Sequence, residues 1–212
     1  MSRARKPRIV GNRQLAASVA ALAAFGGIAS VDEPTPLDWR VHAWAGRVYR
    51  RPMDWVQAPL ELFGLPGAYI PLTVLASRQL RRRGQRGRRA GAALVGAAVA
   101  GWLTVRVMRL LIFRPRPPDP PRRRNDTEST FPSGHTTGVT TLITVATAVL
   151  RDEQILTPVQ AAALRVGVPL MFGFNRLYVR EHWLTDVLGG LAMGTAVGEA
   201  ILATTWTADS RR

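Results

Sequence analysis

Apolar residues along the chain gather into blocks separated by short polar segments rich in arginine, proline and acidic residues. Blocks that approach the roughly 20 residues needed to cross a bilayer as helix run at 14–31, 57–76, 90–113, 135–150, 158–174 and 184–206. They predict an all-α integral membrane bundle of six transmembrane helices. The blocks at 135–150 and 158–174 are short and rich in threonine or glycine, which suits helices enclosed by other helices, where small residues let backbones approach. A soluble helical bundle is the alternative, and it requires polar faces that the stretch from Ala90 to Val105 lacks. The block beginning at Leu15 follows Arg3, Arg5, Lys6, Arg8 and Arg13, the layout of a secretory signal. Ile28, at the outer small-residue position of a cut after Ser30, argues instead for a retained helix.

Charge then orients the blocks. The 212 residues carry 29 Lys+Arg against 14 Asp+Glu, a net +15, and 47% of them are hydrophobic; this length suits a single membrane-embedded domain, 1–212. Five basic residues precede the first block and seven arginines lie between Arg78 and Arg89 without an acid. Both segments are expected in the cytoplasm, with both termini, which leaves 32–56, 114–134 and 175–183 outside. The linker arginines Arg81, Arg82, Arg83, Arg86, Arg88 and Arg89 also resemble a phosphate-binding tail for nucleic acid. Without interleaved aromatics, and held between two spans, they fit anionic lipid headgroups better, and no nucleic-acid partner is expected. Charges inside the blocks need partners. Arg165 and Glu199 each lie seven residues from the cytoplasmic end of their helices, which predicts an ion pair, and Glu61 and Arg106 share a depth near the outer surface.

Five arginines between Arg114 and Arg124 break the charge rule on the outside. Arg109 is followed after six residues by Arg116-Pro117, with Arg114-Pro115 just before, and the alternating prolines must end a helix near Phe113. Guanidinium groups at this surface suit bidentate phosphate contacts; a snorkelling interfacial cluster is the competing reading. Pro132-Ser133-Gly134-His135 then opens the next span. A helix N-terminus there presents free N–H donors to an anion, as any helix cap would, and His135 adds a group able to donate a proton near neutral pH. Finally, Asn175-Arg176 precedes His182 by five residues, and Asp186 follows four positions later, on the same helical face, where a carboxylate orients an imidazole. Two histidines and one committed carboxylate make a weak metal site. Cysteine is absent, so thiolate ligands and cysteine nucleophiles fall away.

The order of a basic residue, six residues and Arg-Pro, then Pro-Ser-Gly-His, then an arginine followed by His-x-x-x-Asp, resembles the type 2 phosphatidic acid phosphatase superfamily, which also includes vanadium haloperoxidases. The six-span layout and the loop around Pro36-Leu37-Asp38 resemble small bacterial members. The resemblance implies that His182 is the nucleophile and forms a phosphohistidine, that Asp186 orients it, and that His135 protonates the leaving oxygen. It further implies that Arg109, Arg116, Arg176, Ser133 and Gly134 bind the phosphoryl group. No metal or other cofactor is implied. Arg109 stands where the family has lysine and Asn175 where it has serine, and Glu181 directly before His182 is unusual: it either points away or raises the basicity of the imidazole.

The expected activity is that of an integral lipid phosphatase at the outer face of a bacterial plasma membrane. It would hydrolyse a lipid phosphate or pyrophosphate, with polyprenyl (undecaprenyl) pyrophosphate preferred and phosphatidic acid or phosphatidylglycerol phosphate as alternatives. A haloperoxidase is less in keeping with a short chain spent on spans. A non-enzymatic lipid-binding protein on the same fold would be expected to lack His135, His182 or Asp186, and all three are present.

Overall fold

The structure, a computed structural model, describes residues 33–50, 54–118 and 129–206. The expected first span, the basic N-terminal tail and the arginines Arg122, Arg123 and Arg124 lie outside the described residues. The described chain is helical, in the order α1 (Pro36–Val48), α2 (Asp54–Gly64), α3 (Pro66–Arg81), α4 (Gly84–Leu111), α5 (Gly134–Asp152), α6 (Pro158–Tyr178) and α7 (Leu184–Trp206).

Local chemistry sets the ends. Thr35 and Thr157 each cap a helix whose first residue is proline, and each forms a reciprocal capping box, with Asp38 and Gln160 respectively. The block 57–76 was expected as one span, and the structure divides it. Pro66 disfavours helical backbone at the residue before it, Leu65 is accordingly extended (φ −80°, ψ 137°), and the axes on either side differ by 68°. At the other end of the pair, α4 stops at Leu111 with Ile112 extended, just ahead of Pro115 and Pro117.

Two helices are long and apolar enough to cross a membrane by themselves, Gly84–Leu111 and Leu184–Thr205, and the bent α2–α3 pair adds a third if it counts as one span. At about 1.5 Å per residue, the 28 residues of α4 exceed the thickness of a hydrocarbon core. The Thr-rich α5 is central instead, packed against α4, α6 and α7. Its hydroxyls are satisfied within the helix: Thr137, Thr140 and Thr141 donate to the carbonyls of Ser133, Thr136 and Thr137 at 2.6–2.9 Å, so the helix can be buried without open polar groups.

α5 and α7 run parallel and in register. A Cβ added to Gly190, Gly194 or Gly198 would lie 3.1, 2.6 and 2.7 Å from the Cβ atoms of Thr136, Thr140 and Thr144. Glycine every fourth residue on one helix therefore meets threonine every fourth residue on the other, and the backbones approach as small-residue seams allow. Further from the site, Ala90, Ala93, Leu94, Ala97, Val145, Val149 and Leu202 knit α4, α5 and α7 together. Arg165 of α6 and Glu199 of α7 form the expected ion pair, with Glu199 almost wholly buried.

Candidate active site

The parallel arrangement of α5 and α7 brings two helix N-termini to one end of the bundle. The link between them is direct, because Ser133 N–H donates to the carbonyl of Asp186 at 3.1 Å. Both positive dipole ends thus point at the same small volume, a setting for an anion.

His182 and Asp186 flank the start of α7. The Asp186 Oδ2 accepts from Trp183 N–H at 2.9 Å and lies 3.5 Å from His182 Nδ1, so the carboxylate both closes the helix end and faces the imidazole. Trp183 is itself fixed: its indole N–H donates to the carbonyl of Pro115 at 2.9 Å, and its ring meets Trp39 of α1 edge-on at 5.0 Å. His135, in the first turn of α5, has Nε2 3.0 Å from the carbonyl oxygen of Glu61 and 3.9 Å from its carboxylate. Gly64 closes over the same ring, where a Cβ would fall 2.0 Å from His135 Cδ2. Only glycine fits there.

Three guanidinium groups anticipated from the sequence converge on this end. Arg109 reaches Gly134, with Nη2 3.5 Å from where a Cβ would stand on that glycine. Arg116 donates to the Glu181 carbonyl at 3.4 Å. Arg176 is fully buried, its Nη2 on Glu61 Oε2 at 2.8 Å and its Nη1 on Glu181 Oε2 at 3.0 Å. Arg176 Nε is also buried and has no hydrogen-bond partner among the described residues, which leaves one donor of this fork open to an anion. Ser133 is buried, and its hydroxyl oxygen accepts from Thr136 Oγ1 at 3.0 Å, so its own proton is available to a ligand. Asn175 is buried and its Nδ2 is without a partner among the described residues.

The structure also corrects the sequence reading. Glu61 has its carboxylate on Arg176 in the site, a partner that depth did not indicate, and Arg106 sits on an exposed face of α4. The Glu181 carboxylate is turned to Arg176. Arg114 is no surface residue. It is wholly buried, with Nη2 on Asp38 Oδ2 at 2.8 Å, Nη1 on Thr185 Oγ1 at 2.8 Å and Nη1 3.7 Å from Asp186 Oδ1. Asp38 closes the capping box with Thr35, and its carboxylate also accepts from Thr185 N–H at 2.9 Å.

A family model described as the PAP2 superfamily matches residues 89–210, which holds all of the convergent groups except Glu61 and Asp38. The chain belongs to the PAP2 superfamily. Among solved structures, the crystal structure of the first transmembrane PAP2 type phosphatidylglycerolphosphate phosphatase from Bacillus subtilis superimposes with a TM-score of 0.74 at 20% identity, covering 92% of this chain and 96% of that one. At that identity the match establishes the fold. No curated protein matches in sequence. By family, fold and its apolar helices the chain is a PAP2-type membrane phosphatase. Within the PAP2 match, the two histidines and the three convergent arginines occupy one end of a parallel helix pair, and Glu61 and Asp38 join them from α2 and α1.

Proposed function

We propose that this protein hydrolyses a lipid phosphate or pyrophosphate through a phosphohistidine on His182. The observation that carries the reading is the convergence of His182–Asp186, His135 and the guanidinium groups of Arg109, Arg116 and Arg176 at two aligned helix N-termini. His182 Nε2 attacks phosphorus as the bond to the leaving oxygen breaks, and His135 gives that oxygen a proton. Asp186 stabilises the positive charge that develops on the imidazole. Water then attacks the N–P bond, His135 takes its proton, and phosphate leaves with His182 regenerated. Arg109, Arg116, Arg176, the Ser133 hydroxyl and the Gly134 backbone bear the negative charge that builds up on the phosphoryl oxygens.

The six-span bundle, with both termini cytoplasmic and the site outside a bacterial plasma membrane, is part of the same proposal; it rests on the arginine-rich linker at the end of the molecule opposite the site. Single cysteines in this cysteine-free chain read that orientation: at Thr127 an impermeant thiol reagent should label intact cells, and at Gln85 it should not. The opposite pattern would invert the protein. An outward-facing site is what recycling of an extracytoplasmic carrier lipid requires, which favours a polyprenyl pyrophosphate. The phosphatidylglycerolphosphate phosphatase of like fold supports the second reading, a glycerophospholipid phosphate.

The experiment is phosphate release from polyprenyl pyrophosphate, phosphatidic acid and phosphatidylglycerol phosphate in detergent, with and without EDTA. Because the proposed site draws its positive charge from guanidinium groups, activity should survive chelation. Loss in EDTA with recovery on adding magnesium would reject the mechanism, and turnover of the glycerophospholipids alone would reject the preferred substrate.

A further inference from the structure

Four buried groups form a chain of alternating charge that begins on α1 and ends at His182. Asp38, 1% exposed, pairs with Arg114, 0% exposed; Arg114 faces Asp186, 0% exposed; and Asp186 faces His182. Thr185 bridges Asp38 and Arg114, donating its N–H to Asp38 Oδ1 at 2.9 Å while its hydroxyl accepts from Arg114 at 2.8 Å. The groups facing Asp186 are Arg114 from the segment after α4, Asp38 across that guanidinium from α1, the Thr130 hydroxyl from the segment before α5, and the Trp183 N–H and His182 imidazole at its own helix end.

Two carboxylates in so dry a place cannot both stay ionised without a cation between them; one would take up a proton, as like-charged acids sharing a site do. We propose that Arg114 is a positioning residue for the reaction: by separating Asp38 from Asp186 it keeps the Asp186 carboxylate ionised and aimed at His182 Nδ1, which holds the ring in the tautomer whose Nε2 lone pair attacks. Asp38 serves as the counter-charge that fixes the guanidinium and moderates its pull on Asp186. Arg114 therefore acts on the phosphoryl group through His182 and does not hold it, unlike its neighbour Arg116. This inference rests on the proposed role of His182.

The test is the pH profile of kcat/KM for p-nitrophenyl phosphate in detergent. Its acid limb reports protonation of the coupled His182–Asp186 pair. Removing a positive charge raises the affinity of that pair for a proton. Arg114→Gln should therefore move the limb up by about one pH unit or more, so that its loss relative to wild type is about tenfold greater at pH 6 than at pH 8.5. Adding Asp38→Asn to Arg114→Gln removes the competing negative charge and should bring the limb back, which a role in folding alone would not do. Asp38→Asn by itself should move the limb down, and Arg114→Lys should leave it close to wild type.

An Arg114→Gln profile that is lower but parallel to wild type would overturn the proposal. If that variant does not fold, an unmoved limb in Asp38→Asn overturns it equally. His182→Ala is the control on the underlying reading: activity persisting there would sink the phosphohistidine mechanism whatever Arg114 does, whereas an inactive His182→Ala beside a parallel Arg114→Gln profile removes this inference alone.

Discussion

His182→Ala should abolish turnover, with a loss of more than about a thousandfold in kcat, because the proposed intermediate forms on its imidazole. Asp186→Asn should leave measurable activity, since the carboxylate 3.5 Å from His182 Nδ1 assists the attack and does not make it. The two variants separate in a rapid-quench experiment with radiolabelled substrate. Wild type should accumulate an acid-labile, base-stable phosphoprotein, Asp186→Asn should form it slowly, and His182→Ala should form none. A phosphoprotein that persists in His182→Ala would place the nucleophile elsewhere.

The second large effect is expected at Arg176, and it has two parts. Truncation to alanine removes the buried donor proposed to hold phosphate and leaves the carboxylates of Glu61 and Glu181 without the cation that joins them. Breaking a buried pair in this way costs about 3–5 kcal/mol, so Arg176→Ala should unfold at a visibly lower temperature in detergent as well as lose about a hundredfold or more in kcat/KM. Neutralising both acids in the background of Arg176→Ala, with Glu61→Gln and Glu181→Gln, should recover much of the stability and none of the activity. Activity that returned together with stability would mean that Arg176 serves the fold alone.

How far these sites were legible follows from the kind of information each one needed. His135, Arg116, Arg176, His182 and Asp186 stand in short motifs with fixed spacing, so local order was sufficient to find them. The Arg165–Glu199 pair was also accessible, because each residue sits in an otherwise apolar helix and depth can be counted from the helix end. Depth alone did not point Glu61 to Arg176: it gives height along the bundle and nothing about azimuth, and beyond the bend at Leu65 the α2 carboxylate lies on Arg176. Asp38 and Arg114 were hidden for a different reason. Asp38 stands far in sequence from the motifs and Arg114 reads locally as an interfacial cation, and only the tertiary approach of α1 to the start of α7 reveals how they are used.

The seam of glycines and threonines between α5 and α7 also bears on how the enzyme can change over evolutionary time. Each glycine is seated against its threonine, so one helix cannot slide past the other by a fraction of a turn; the next seating, four residues on, lies about 6 Å away. His135 begins one of these helices and His182 immediately precedes the other. The separation of His135 and His182 is therefore set in discrete steps, like a pawl on a ratchet, and substitutions on the outer faces of the bundle leave it fixed.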